Sequence, residues 1–240
     1  MPNWTPWDGC YKASDGCTYC YYYGPYSKRH GQNTIVRASD SEFYKPLELE
    51  SGKGVGICFS SDFLIPEADE WRKEAWRIIK QRPDLDFLFL SKRIDRFLVS
   101  LPDDWGDGYD NVRVDCGVEN QELADYRLPL FLSYPIKHRS IGCSPLLGRI
   151  DLSPYLYGVE SVLVHGEVSR DARECDYEWV LDIREQCIAA NVPFKFWGPG
   201  SRFRQDGALR KINPYMQKRA AREIDINTGI FRNAGGEGKT

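Results

Sequence analysis

Three cysteines near the amino terminus are the residues of this sequence best suited to chemistry. Cys10, Cys17 and Cys20 fall within eleven residues with the spacing C-x6-C-x2-C. Thiolates are soft ligands that bind zinc or the iron of iron–sulfur clusters. A structural zinc site usually takes four protein ligands, and His30 is the nearest candidate for a fourth. Three thiolates alone would leave one iron of a 4Fe–4S cluster open to another ligand.

The remaining cysteines are scattered singly along the chain. They are Cys58, Cys116, Cys143, Cys175 and Cys187. A lone cysteine most often acts as a small buried hydrophobe, so we expect these five to pack in the core. Cys58, Cys116 and Cys143 come near the ends of predicted strands. A second cluster, or a thiol that gives hydrogen to a substrate, therefore stays open as an alternative, with Cys143 as the candidate catalytic thiol.

The composition favours a globular protein and argues against several classes. The 240 residues are 42% hydrophobic and 28% charged, which is typical of a folded core rather than disorder. A formal net charge of −3 argues against nucleic-acid binding by bulk charge, although a local basic groove is compatible with it. The sequence lacks an apolar run of membrane-spanning length and a signal-peptide pattern. We therefore expect a cytoplasmic protein without a membrane partner.

Strand-like and helix-like segments alternate along the chain. Strands are predicted at residues 54–61, 86–90, 111–116, 137–143, 161–164 and 192–197, and helices at 67–81, 96–100, 120–132 and 177–190. The continuous apolar run at 86–90 is typical of a strand covered on both faces. This alternation predicts an α/β fold with parallel strands and right-handed crossovers. About six or seven such units would curve into a full or partial (β/α) barrel.

The chain divides into a barrel and a carboxy-terminal extension. Residues 1–203 contain the cysteines of the amino-terminal loop and all the predicted strands. Residues 204–240 are basic and then glycine-rich, and we expect their end to be frayed. The basic residues of this segment fit either a phosphate contact or the solvated face of a helix.

Polar residues follow the first five strands of the predicted sheet. They are Ser60, Ser61, Asp62, Ser91, Lys92, Arg93, Glu119, Asn120, Ser144, His165, Gly166 and Glu167. The carboxyl ends of the strands carry the active site in (β/α) barrels. Ser, Asp and Asn are also common helix caps, so each residue alone is ambiguous. Together they predict a polar ligand at the barrel mouth.

The cysteine motif and the barrel resemble the radical S-adenosylmethionine superfamily. Tyr19 stands before the third cysteine, where that superfamily has an aromatic residue, and the first gap is three residues longer than the usual C-x3-C-x2-C. The chain also resembles, from Trp4 to about Gly198, an uncharacterised family often labelled as phage proteins. The segments that carry this second resemblance include Trp4-Thr-Pro-Trp-Asp-Gly-Cys10, Leu88-Phe-Leu-Ser-Lys-Arg93, Val118-Glu-Asn-Gln121 and Cys143-Ser-Pro-Leu-Leu-Gly148. This chain departs from that family near the expected pocket, at Tyr22, Tyr23, Ser144, His165 and Val168.

The resemblance implies a reaction. Cys10, Cys17 and Cys20 would hold a 4Fe–4S cluster whose open iron binds S-adenosylmethionine. An electron from a reductant such as flavodoxin or ferredoxin would cleave that cofactor to methionine and a 5′-deoxyadenosyl radical. The radical would abstract hydrogen from an unidentified substrate, either nucleotide-like or another small molecule. The alternative is a non-catalytic protein in which zinc or an iron–sulfur cluster stabilises the amino-terminal loop.

The resemblance also implies roles by position. The cofactor contacts would be Tyr19 at the adenine, Ser60, Ser61 and Asp62 at the methionine amino group, Lys92 or Arg93 at its carboxylate beside Ser91, Glu119 or Asn120 at the ribose, and Gly166 with Glu167 at the fifth strand end. Cys143 and His165 are the candidates for catalytic contact with the substrate.

Overall fold

The structure is a computed structural model that describes residues 1–23 and 34–229. The candidate ligand His30 and the glycine-rich end from residue 230 lie outside the described residues. The strands of the described chain are β1 (Asn3–Trp4), β2 (Trp7–Asp8), β3 (Val36–Arg37), β4 (Gly54–Ile57), β5 (Asp86–Ser91), β6 (Val112–Gly117), β7 (His138–Cys143), β8 (Ser161–His165), β9 (Cys175–Asp176), β10 (Phe194–Gly198), β11 (Arg202–Gln205) and β12 (Ala208–Lys211). Its helices are α1 (Asp40–Phe43), α2 (Asp69–Gln81), α3 (Gln121–Ser133), α4 (Tyr177–Ala189) and α5 (Gln217–Ile224).

Seven of the described strands form one parallel sheet, in the order β1-β4-β5-β6-β7-β8-β10. The sheet curls into a half-barrel. Its edge strands β1 and β10 do not pair with each other in the described chain, so the barrel is open. The predicted α/β class and partial barrel are therefore confirmed. The parallel order also brings the carboxyl ends of all seven strands to one edge, which is the mouth of the half-barrel.

The core lies between the convex face of the sheet and the helices. Side chains alternate between the two faces of a strand. In β5, Phe87 and Phe89 are fully buried, and the Phe89 ring lies 6.4 Å from that of Trp76 in α2. Leu88 and Leu90 point to the concave face and are half-buried. The prediction that this strand is covered on both faces is wrong, because the open half-barrel leaves its inner face partly accessible.

One strand of the parallel sheet was not predicted, and two local expectations differ from the structure. The first strand, β1, has only two residues, too few to show a period in the sequence, yet the Trp4 indole is buried and donates to the Phe43 carbonyl at 2.9 Å. β4 ends at Ile57 rather than 61, because Cys58 turns the chain with a φ of 54°. The predicted helix at 96–100 is a pair of 3-10 turns, Ile94–Arg96 and Leu98–Ser100.

The segment beyond residue 203 folds onto the half-barrel. β11 pairs with β12 and with β9 in a separate three-stranded sheet, and α5 packs against β10. Thr228 then forms an antiparallel bridge with Phe194, which covers the outer edge of β10. Among the described residues, none of the helices has both the length and the apolar character needed to cross a membrane.

Candidate metal centre at the mouth of the half-barrel

The cysteine loop, residues 9–23, folds as a series of tight turns. Cys17 N–H donates to the Ser14 carbonyl at 3.0 Å, and Cys20 N–H donates to the Cys17 carbonyl at 3.3 Å. These turns gather Cys10, Cys17 and Cys20, whose thiols are half-buried and not joined in disulfides. Negative charge on Cys17 or Cys20 would raise the pKa of Cys10, so the three sulfurs lie within electrostatic reach of one another.

Burial of the thiols opposes their ionisation, and neighbouring basic side chains favour it. Burial raises the pKa of Cys10 to about 12, and the Arg93 guanidinium acts against that increase. Burial likewise raises the pKa of Cys20, and the Lys92 ammonium lowers it. The free thiols of Cys10 and Cys20 are therefore protonated near neutral pH, and a metal must displace their protons when it binds. Arg93 and Lys92 reduce the cost of that exchange because they stabilise thiolates.

The three thiols of the cysteine loop are the metal-ligating side chains that the sequence predicted, and the structure allows a limited comparison with a metal site. Within residues 1–23 and 34–229, no three His, Cys, Asp or Glu side chains form a group that could hold one metal ion. Zinc would need every thiolate at about 2.3 Å from one centre. In an iron–sulfur cluster each thiolate binds a different iron, so the sulfurs are spaced more widely. A cluster on the three thiols therefore stays a prediction, since a preformed single-ion site is not found in the described residues.

Side chains after β4 and β5 hold the start of the cysteine loop. Ser61 Oγ donates to the carbonyl of Gly9, the residue before Cys10. Arg93 Nη2 donates to the Tyr11 carbonyl at 2.5 Å, and its guanidinium lies 4.5 Å from the centre of the Tyr11 ring. Asp62 orients Arg93 through a 2.9 Å ion pair. The first thiol is therefore fixed from both sides.

Glu119, after β6, holds the middle of the loop. Its carboxylate is fully buried and accepts from Ser14 Oγ at 2.5 Å. Lys92 Nζ lies 2.7 Å from Oε1, and Arg127 Nη1 lies 2.8 Å from Oε2. A Cβ on Gly16 would come within 2.3 Å of Glu119 Cγ, so only glycine fits beside this carboxylate. Glu119 thus fixes the turn that leads into Cys17.

Glu167, after β8, reaches the last part of the loop through an arginine. Its carboxylate accepts from Arg173 Nε at 3.1 Å and from Arg173 Nη2 at 2.8 Å. Arg173 pairs in turn with Asp15 and donates to the Asp15 carbonyl at 3.0 Å. The Arg173 guanidinium also lies 5.3 Å from the centre of the Tyr19 ring, between the second and third cysteines.

Six of the predicted cofactor residues therefore reach the cysteine loop, directly or through one partner: Ser61, Asp62, Lys92, Arg93, Glu119 and Glu167. Others meet different parts of the chain. Ser91 Oγ donates to Asp62 at 2.7 Å. Asn120 caps α3 by accepting from Leu123 N–H at 3.0 Å, which is the alternative that its residue type left open. Gly166 admits the protein's own backbone, since a Cβ there would lie 2.2 Å from the Pro199 carbonyl oxygen. Direct contacts of these residues with a cofactor stay predictions.

Two of the predicted cofactor residues are accessible to solvent. Tyr19 is 38% exposed despite the overlying Arg173, and Ser60 is half-buried. Neither occupies a fully enclosed position. Tyr19 is the most exposed residue of the predicted set.

The two candidate catalytic residues differ in their placement. Cys143 has no exposed surface, and burial raises the pKa of its thiol, so in this structure it is a core residue. His165 sits at the end of β8, where burial lowers its pKa to about 4 and keeps the imidazole neutral at pH 7. The other lone cysteines, Cys58, Cys116, Cys175 and Cys187, are buried as expected.

Sequence analysis missed the partners that link strand ends to the loop. Arg173 lies in an irregular segment without any periodic pattern. Arg127 carried a usable signal, because it stands between Ala124 and Leu128 on the buried side of α3. A charged residue on such a face needs an opposite charge nearby.

A cleft of about 600 Å³ lies elsewhere, beside α2 and residues 99–104. Charged residues that line this cleft form ion pairs with each other, Arg72 with Asp69 at 2.6 Å and Lys80 with Asp104. None of the cysteine-loop residues lines it. The thiols therefore remain the stronger candidate for chemistry.

Comparison with known proteins adds a family but no activity. A family model described as "Protein of unknown function (DUF5131)" matches residues 2–228. Neither a curated protein nor a solved structure matches the chain.

Proposed function

The chain belongs to the DUF5131 family, and we propose that it is a radical S-adenosylmethionine enzyme with a 4Fe–4S cluster on Cys10, Cys17 and Cys20. The observation that carries the proposal is the gathering of three thiols from one loop at the mouth of a parallel half-barrel. When bound, the cluster supplies the electron that splits S-adenosylmethionine into methionine and a 5′-deoxyadenosyl radical, which takes hydrogen from a substrate.

The protein's first contribution is to stabilise two of the three thiolates, those of Cys10 and Cys20. Arg93 acts on Cys10 and Lys92 acts on Cys20, each by lowering the pKa of its thiol against the effect of burial. Both cations are held by buried carboxylates, Asp62 and Glu119. Their positions are therefore set before a metal arrives, which reduces the rearrangement that binding requires.

A second contribution is to fix the loop that carries the thiols. Contacts from four strand ends bracket the cysteines, through Ser61, Arg93, Glu119 and Glu167 with Arg173. A reactive site needs its ligands within about 0.5 Å of the productive geometry. Because the contacts come from the sheet rather than from the loop, the rigid part of the fold determines where the thiols lie.

The mouth offers a polar surface for the nucleoside of the cofactor. We assign Tyr19 to the adenine, because its ring is partly open and stacked on a guanidinium. Ser60 is half-buried and stands two residues before the buried Asp62, so we assign it to the methionine amino group. A reductant such as flavodoxin or ferredoxin would reach the loop from its solvent side, where Tyr21 is 57% exposed.

The test is formation of 5′-deoxyadenosine. Protein reconstituted with iron and sulfide without oxygen, then reduced, is incubated with S-adenosylmethionine, and the products are separated by chromatography. We expect slow formation of 5′-deoxyadenosine that Cys17→Ala abolishes and Cys187→Ala retains, because Cys187 lies in the core. Zinc uptake without any 5′-deoxyadenosine would favour the non-catalytic alternative, and full turnover by Cys17→Ala would reject the ligand assignment.

A further inference from the structure

Positive charge is concentrated in one segment of this acidic protein. Residues 195–222 contain eight basic residues and a single acidic one, Asp206, in a chain whose formal net charge is −3. The basic residues are Lys195, Arg202, Arg204, Arg210, Lys211, Lys218, Arg219 and Arg222. The rest of the chain is therefore strongly acidic. Such an asymmetry directs a polyanion to one place on the surface.

The fold exposes much of this charge on a hairpin and a helix. Every residue of β12 is exposed, and Lys211 lies opposite Arg202 in the register with β11. On α5, Arg222 follows Lys218 by one turn, so both lie on the same side of the helix. Glu174 neutralises Arg202 and Arg204. In the described part of the chain, no ion pair neutralises Arg210, Lys211, Lys218 or Arg222.

Aromatic rings accompany the basic residues. Lys195 Nζ and Lys218 Nζ lie 4.9 Å and 5.3 Å from the centre of the Trp197 indole. One ring therefore orders two ammonium groups from different elements. Tyr215, three residues before Lys218, is 92% exposed. An aromatic side chain so open to water is available for stacking.

This surface adjoins the candidate metal centre. Trp197 lies next to Gly198, whose carbonyl accepts from Gly166 N–H at 2.9 Å. Ser201 N–H donates to the Glu167 carbonyl at 2.8 Å, just before the hairpin begins. Glu167 is the residue that holds the cysteine loop through Arg173. A strand lying along the hairpin and α5 would therefore pass the mouth of the half-barrel.

We propose that Trp197, Lys211, Tyr215, Lys218 and Arg222, the basic–aromatic surface, bind single-stranded nucleic acid. This inference rests on the proposed function and names its substrate class, a nucleotide within a strand. Ammonium and guanidinium groups neutralise backbone phosphates, and exposed rings stack on bases. A single strand fits better than a duplex, because its bases are free to stack on Tyr215 and to enter an enclosed site.

The binding test uses fluorescence anisotropy of labelled oligothymidylate and oligouridylate, each about twenty nucleotides long. We expect the Lys211→Glu/Lys218→Glu variant to weaken binding by about tenfold or more. Its salt dependence should also be shallower, since each lost phosphate contact on a single strand removes about 0.7 from the slope. The matched control is Lys53→Glu/Lys73→Glu, which makes the same charge change at exposed lysines of another surface and should bind as the wild type does.

Further outcomes decide the kind of partner. Tyr215→Ala should weaken binding without changing the salt slope, and its exposure makes a folding defect unexpected. Equal losses in the control variant, equal or tighter binding of duplex DNA, or equal competition by polyglutamate would each overturn the proposal. Polyglutamate competition would indicate an acidic protein as the partner.

Failure of this proposal is distinguishable from failure of the proposed enzyme. Cys17→Ala should still bind the oligonucleotide while it makes no 5′-deoxyadenosine. Conversely, Lys211→Glu/Lys218→Glu should still cleave S-adenosylmethionine in the absence of substrate. If Cys17→Ala bound no oligonucleotide while remaining folded, the surface proposed here would not be the binding site.

Discussion

The Ser14 hydroxyl donates a 2.5 Å hydrogen bond to Glu119 Oε1, which joins the cysteine loop to the end of β6 across 105 residues of sequence. The same carboxylate is paired with Lys92 and Arg127. A residue that we expected to touch a cofactor thus anchors the cysteine loop. The polar side chains at the strand ends of this half-barrel hold the loop that carries the three thiols.

Loss of the Glu119 carboxylate should both destabilise the protein and release the loop. In Glu119→Ala, Lys92 and Arg127 keep their charges in a buried place without the carboxylate that neutralised them. Breaking a buried pair in this way costs about 3–5 kcal/mol. Urea unfolding should show that loss, and iron retained after reconstitution should fall. Glu119→Gln keeps acceptor and donor atoms and should retain more of both; equal behaviour of the two variants would contradict the role of the charge.

A methyl group at Gly16 should displace the turn before Cys17. Its Cβ would lie 2.3 Å from Glu119 Cγ, a contact that neither the buried carboxylate nor the loop can absorb in place. We expect Gly16→Ala to lower iron content after reconstitution. The control is Gly148→Ala, since a Cβ at Gly148 meets nothing within 4 Å. Full iron content in Gly16→Ala would show that the turn is not held against Glu119.

Removal of Arg173 should loosen the loop locally rather than unfold the protein. The side chain joins Glu167 to Asp15 and covers the Tyr19 ring. In Arg173→Ala, amide hydrogen exchange at residues 14–20 should become faster while the sheet keeps its protection. Arg77→Ala, which removes an exposed arginine paired within α2, should leave the exchange of the loop unchanged. Unaltered exchange in Arg173→Ala would rule out the bridge.

The sequence allowed the fold class to be predicted, because alternating apolar segments were enough for a parallel α/β sheet. The polar residues at the strand ends indicated the edge of the sheet against which the cysteine loop packs. The two-residue β1 was beyond a method based on periodicity, although Trp4 is fully buried there.

The partners of the polar residues were the part that sequence could not supply. The sequence around a Glu at a strand end does not show whether its carboxylate contacts a ligand, as predicted for Glu119, or a serine 105 residues away. Only the packing of the loop on the sheet decides between them. Arg173 was invisible for a related reason: it lies outside helices and strands, where spacing carries no information about contacts.

Asp115 should make stability depend on pH. It is buried in β6 as the acceptor of a Ser140 hydroxyl, and burial raises its pKa from 3.8 to about 7. Between about pH 4 and pH 7 the Asp115 carboxyl is protonated in the folded state and ionised in the unfolded state. The stabilisation that the raised pKa contributes is therefore complete below about pH 4 and is lost as pH rises through 7. Asp115→Asn should therefore gain stability over the wild type at pH 8, on the order of 4 kcal/mol at 1.4 kcal/mol per pKa unit. Urea unfolding at pH 5 and pH 8 measures the difference, and an equal effect at both would contradict the raised pKa.

The central claim is that three thiols of one loop hold an iron–sulfur cluster, and metal analysis tests it most directly. Iron, zinc and acid-labile sulfide are measured per chain after reconstitution without oxygen. We expect about four iron and four sulfide in the wild type, with the cluster lost in Cys17→Ala and kept in Cys187→Ala. Zinc without sulfide, or a full complement of iron and sulfide in Cys17→Ala, would contradict the account.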